Sequence, residues 1–188
     1  MGRYLAIGLV HRISVSLEDM RKHGVSSEEI RTQMTQDYSI DLGLYDVDGE
    51  KSTDKTMEFY LPVSTFEEGL IPFLEALYPV VCQRREQDEY QTVLNQLRTI
   101  PTEGWLGLAN QKVYSVFQKD ETNSHFLMLP KPFRPEVRFR FARIIFYMGY
   151  GKVIAEGIDD FTQLFSHFMR ETFRDHPIAG AVQVYLTD

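Results

Sequence analysis

Four arginines, Arg134, Arg138, Arg140 and Arg143, alternate with Phe133, Phe139 and Phe141. If this segment is a strand, Arg138 and Arg140 share one face, and Phe139 and Phe141 share the other. Neighbouring guanidinium groups on one face can grip a phosphate or a carboxylate through paired N–H donors. A basic strand interleaved with aromatics can also hold single-stranded nucleic acid. The competing reading is a solvated outer face over a phenylalanine core, its charges paired with acidic residues elsewhere in the chain. These four arginines are the candidate anion-binding or partner-binding residues.

A second constellation lies near the C-terminus, where Asp160, Leu164, His167 and Glu171 follow helical spacing along one flank. His167 and Glu171 stand one turn apart and are subsidiary candidates for a metal or an acid–base pair. Asp160 is two turns from His167, roughly 10 Å, too far to share one ion unless another segment contributes. The plainer reading is a polar flank beside an apolar stripe, so no metal site is assigned. Asp46-Val47-Asp48-Gly49-Glu50 has the look of a calcium loop but fails on residue type. Lys51 occupies the position that needs glycine, and Met57 the one that needs a bidentate glutamate. Lys22 to Ile30 has the glycine turn of a helix-turn-helix, yet Glu28 and Glu29 would face phosphates there.

Catalytic signatures are missing from the sequence. There is no phosphate-binding glycine loop of the Walker type and no Gly-x-Ser-x-Gly elbow, and Gly149-x-Gly151 lacks the third glycine of a dinucleotide site. Cys82 beside Arg84 and Arg85 has the neighbours that lower a thiol pKa, but a lone cysteine at the end of an apolar helix reads first as a small hydrophobe. No catalytic residue and no cofactor are assigned.

Composition narrows the function classes. The 188 residues carry a net charge of −7. Residues 1–94 hold 9 Lys/Arg against 17 Asp/Glu, and residues 95–188 hold 11 against 10. An acidic chain of this kind argues against general binding to nucleic acid or anionic membrane while leaving room for a local basic patch. No run of about 18 apolar residues is present, so no membrane span is expected. The apolar stretch from Tyr4 is ended by His11 and Arg12, too early for an export signal, and is expected to be a strand. The single cysteine excludes an intramolecular disulfide and fits a reducing, cytoplasmic setting.

The elements that must position these residues follow from periodicity and turn chemistry. Strands are expected over 3–15, 40–45, 57–61, 138–148, 152–155 and 181–186. A hairpin is expected from 112–119 and 125–129, turning at Asp120 to Asn123. Ser16 can cap a short helix that Gly24 stops, and Ser26 with Glu29 forms a capping box for the next, to about Thr35. A helix over 65–80 contains Pro72, which should kink or split it. Further helices are expected over 85–98 and 159–174, the last burying Phe161, Leu164, Phe165 and Phe168.

The resulting fold class is α+β, a mainly antiparallel sheet with helices packed on one side. The order strand-strand-helix at 40–80 and again at 138–174 admits a duplicated β-β-α unit. One domain over 1–188 is expected, with the stiff, proline-rich 130–135 as the place for any subdivision. The leading functional expectation is a non-enzymatic cytoplasmic binding or assembly protein, meeting a protein partner or a second copy of itself. The alternative is a small-molecule enzyme or anion-binding protein with its site near the arginines of 134–143 and the last helix.

Overall fold

The computed structural model describes residues 4–81, 91, 94–95, 98–99, 118–127, 129, 136–148 and 166–187. Its centre is β1 (Tyr4–Ser16), a long strand of aliphatic and β-branched residues. One edge of β1 pairs along its length with β5 (Glu136–Met148). The other edge is divided: β6 (Val182–Thr187) pairs with residues 4–9, and β3 (Thr56–Tyr60) with residues 12–16. β4 (Gln118–Phe126) lies outside β5, and the short β2 (Asp46–Val47) outside β3. Every pairing among the described residues is antiparallel. The fold is α+β, as the patterning predicts.

A bulge at His11 separates the two halves of β1, because the register passes from Val10 opposite Phe141 to Arg12 opposite Arg140. The carbonyls at this seam find partners outside the strand ladder. The Tyr45 hydroxyl donates to the Val10 carbonyl at 2.7 Å, and the Leu61 N–H donates to the His11 carbonyl at 3.0 Å. Tyr45 is almost fully buried. Burial first, and the nearby Asp41 carboxylate second, push its hydroxyl well above the ordinary tyrosine pKa, so it stays a donor.

Two short helices follow β1, each delimited by the cap chemistry its sequence carries. In α1 (Leu17–His23) the Ser16 hydroxyl accepts from the Asp19 N–H, and Gly24 ends the helix with φ of 62°, where a side chain would be strained. In α2 (Ser27–Tyr38) both bonds of the Ser26–Glu29 capping box are made. Ile30 and Met34 of α2 are buried, and Tyr38 meets Phe139 of β5 edge to face at 5.4 Å. This contact places α2 on the sheet face that carries Ile13, Val15, Val137, Phe139 and Phe141, all at most 1% exposed.

Gly8 belongs to that inner face. Phe141 and Tyr185 stack above it, 4.2 Å apart, and a Cβ at Gly8 would stand 2.6 Å from the Tyr185 ring. The stack requires glycine there.

The long helix α3 (Val63–Val81) buries Leu70, Phe73, Leu74 and Leu77 on one stripe. It runs unbroken through Pro72 and Pro79, so of the two outcomes expected at Pro72, a kink or a split, the split does not occur. Both prolines are exposed, as are Glu68 and Glu75, the residues four positions earlier, so water can serve the carbonyls that lose a helical partner. Residues 166–173 form α4, with Met169 and Phe173 buried and Phe73 against Phe173 at 5.3 Å.

Several expectations need correction. Residues 40–45 are not a strand: Leu42–Leu44 make a single 3-10 turn capped by the Asp41 carboxylate, and the strand begins only at Asp46. Apolar alternation at Ile40, Leu42 and Leu44 arises there from a tight turn that seats two of the three residues in the core. Residues 120–123 are not a turn but the middle of β4, which pairs with β5 from Gln118 to Phe126 across a register shift. Their polarity suits a strand whose positions 122 and 124 face solvent. Phe168 is 42% exposed, because the buried stripe of α4 runs through Met169 and Phe173 instead. The strand over 152–155, the turn at Gly149-Tyr150, the link 130–135, and residues Cys82, Phe161, Leu164 and Phe165 lie outside the described residues. The duplicated unit is not established, since one of its four expected strands, over 40–45, does not form and another, over 152–155, lies outside the described residues.

Candidate functional site

The outer face of the sheet, opposite Phe139, is open around the second half of β1. Two cross-strand rows cover it. Glu58, Ser14, Arg138 and Ser124 form one, and Tyr60, Arg12, Arg140 and Thr122 the other. Arg138, Arg140, Ser124 and Thr122 are exposed, and the other four are half-buried. Strand alternation therefore delivers Arg138 and Arg140 to one face with Phe139 and Phe141 beneath them.

Arg12 and Arg140 stand directly opposite each other, an arrangement that is unfavourable for like charges unless each is compensated. Arg12 has its counter-charge: its guanidinium donates to Asp48 at 3.1 Å, across the chain from the β2 end. Partial burial pushes the Asp48 carboxyl up, but the Lys51 N–H and the Arg12 guanidinium outweigh this and hold it below the ordinary range. Asp48 is thus the ion-pair partner of Arg12. Arg138 reaches Glu136 of its own strand at 3.4 Å. The Ser124 hydroxyl, and after it Arg138, keep Glu136 below the ordinary carboxylate range. Arg140 has no carboxylate and no hydrogen bond among the described residues.

The strand does not bring all four sequence candidates together. Arg143 pairs in register with Gly8 and Gln118, an odd step beyond Arg140 that breaks the two-residue repeat of Arg138 and Arg140. Arg134 lies outside the described residues. Arg12, Ser14 and Thr122 join the face instead. A signal for two of them exists in the sequence, where polar Arg12, Ser14 and Ser16 alternate with apolar Ile13 and Val15. Their meeting with β5 depends on pairing between segments more than a hundred residues apart.

His167 and Glu171 sit elsewhere, on the wall of an open cleft of about 1430 Å³ between the end of α2, α4 and β6. Phe73, Met169 and Phe173 form its apolar floor. Arg174 holds Glu171 through both carboxylate oxygens at 2.6 Å and keeps it below the ordinary glutamate range. Arg170 donates to the Ser39 hydroxyl at 3.0 Å. Among the described residues no group of three or more His, Cys, Asp or Glu is placed to hold a metal ion, and no helix is long and apolar enough to cross a membrane.

No family model, no curated protein and no solved structure matches the chain.

Proposed function

We propose that this chain is a non-enzymatic cytoplasmic binding protein that meets a protein partner through the open half of its sheet. One observation carries the reading: Arg140 is exposed, faces Arg12 across the strands, and has no counter-charge among the described residues. Arginine and tyrosine are the residue types that contribute most at protein interfaces, and Arg138, Arg140 and Tyr60 stand together here. Asp48, Glu58 and Glu136 are interspersed with the three arginines, so the face as a whole is close to neutral. A near-neutral patch on an acidic chain favours a protein surface over a polyanion such as nucleic acid.

Site-specific photo-crosslinking in cells tests this. A crosslinker at Thr122, on the open face, should give discrete adducts that disappear when Arg138 and Arg140 are both glutamine. The same crosslinker at Gln36, exposed on α2, should not. Equal labelling from both positions, or none from Thr122, would remove the reading.

The cleft beside α4 supports a second reading, a small-molecule enzyme or anion-binding protein, because its apolar floor and polar rim are the usual makings of a ligand pocket. It ranks lower because Glu171, Arg170 and Arg174 are already engaged with groups of the chain itself.

A further inference from the structure

The partner's chemistry can be narrowed, on the premise that the open sheet face is the docking surface. Arg138 and Arg140 are two residues apart on one strand, so their Cα atoms are separated by about 6.8 Å at the usual strand rise. An extended segment with acidic residues two positions apart has the same repeat, and its two carboxylates then project to one side. The chain contains its own example of such an engagement: Arg12, directly beside Arg140, takes the Asp48 carboxylate that follows the short strand β2. Asp48 fills the Arg12 position of the row, and no carboxylate of the described residues fills the Arg140 position.

We propose that Arg138 and Arg140 bind an extended, acidic segment of a protein partner, with Glu or Asp at alternate positions, laid along β5 in register with the two guanidinium groups. Each partner carboxylate accepts two parallel N–H bonds from one guanidinium, a planar match that lysine could not supply. Arg138 exchanges its long contact with Glu136 for the incoming carboxylate, and Arg140, with no carboxylate partner among the described residues, gains one. The exposed Thr122, opposite Arg140, can donate its hydroxyl to the remaining oxygen lone pairs. The near-neutral face and net charge of −7 limit the segment to a few carboxylates, since a long polyanion would meet Glu58, Glu136 and Asp48 as well.

Fluorescence anisotropy with short labelled peptides tests the spacing directly. The probes are β-prone heptapeptides with two glutamates at alternate positions, at adjacent positions, or replaced by glutamine. The full chain should bind the alternating peptide roughly tenfold or more tightly than the other two, as expected for charge-assisted hydrogen bonds. R138Q/R140Q should abolish that preference, and raising salt from about 0.1 M to about 1 M should weaken the binding. Circular dichroism of the double variant checks that it is folded, and R140K, which keeps the charge but loses the fork, should also lose most of the preference. Equal affinity for alternating and adjacent glutamates, no binding of any peptide, or tighter binding of a phosphorylated peptide or single-stranded RNA would overturn the proposal. If the Thr122 crosslinks persist in those cases, the face is still a docking surface for a partner of other chemistry. If they too are absent, the underlying reading falls with it.

Discussion

The two halves of β1 pair with the same strand and differ in what lies over them. From Tyr4 to Val10, with β6 on the free edge, residues of both faces are buried: Ala6, Ile7, Leu9 and Val10 are all 0% exposed. From Arg12 to Ser16, with β3 on that edge, only the inner residues Ile13 and Val15 are buried, and Arg12, Ser14 and Ser16 reach the outer surface. Leu9 and Arg12 occupy the same outer face, since their partners at 142 and 140 are two residues apart on β5. Charge is tolerated where the face is open and replaced by aliphatic side chains where it is covered, because an unpaired buried guanidinium is far costlier than an exposed one. The same sheet therefore serves as core at one end and as an open, polar surface at the other.

The comparison is most sharply broken on the outer face itself. Leu9→Ala should destabilise the fold by about 2–5 kcal/mol, through lost transfer energy and the cavity left behind. Chemical denaturation measures it, and a loss below about 1 kcal/mol would mean that the outer face is not closed at that end.

A smaller effect is expected at the aromatic stack of the covered half. Gly8→Ala must separate Phe141 from Tyr185, at a cost of about 1–3 kcal/mol for overpacking. The near-ultraviolet circular dichroism should change with it, because the two rings lose their parallel contact. An unaltered midpoint and spectrum would show that the close approach at Gly8 relaxes freely.

Next comes the seam between the halves. Tyr45→Phe leaves the Val10 carbonyl without its 2.7 Å donor, and an unsatisfied buried carbonyl costs about 1–3 kcal/mol. Amide hydrogen exchange should then accelerate in β1 around His11 more than at its ends. Uniform acceleration along the strand would mean the bulge is not held by this bond.

The smallest effect belongs to the open half. The R138Q/R140Q variant should stay within about 0.5 kcal/mol of wild-type stability, because both side chains are exposed, Arg138 makes one long contact, and Arg140 makes none among the described residues. Loss of more than about 1 kcal/mol would make the pair structural and leave the proposed surface without its basis.

What the sequence determined by itself is local. Ser16, Gly24, Ser26 and Glu29 delimit two helices through bonds made within a few residues, so their positions are legible without any knowledge of the rest of the chain. The alternation of Arg138, Phe139, Arg140 and Phe141 assigns each to a face by the same logic, whatever lies beside the strand. The tertiary structure decided the rest. Apolar alternation over Ile40 to Leu44 suits a strand or a buried turn equally, and only contacts with Gly180 and the core select the turn. Phe168 and Phe173 are the same residue type on one helix, and which is buried depends on where Phe73 of α3 lies. The row that sets Arg12 against Arg140, with Asp48 completing only the first, joins three segments distant in sequence. No window of sequence contains that juxtaposition, because long-range strand pairing and register create it.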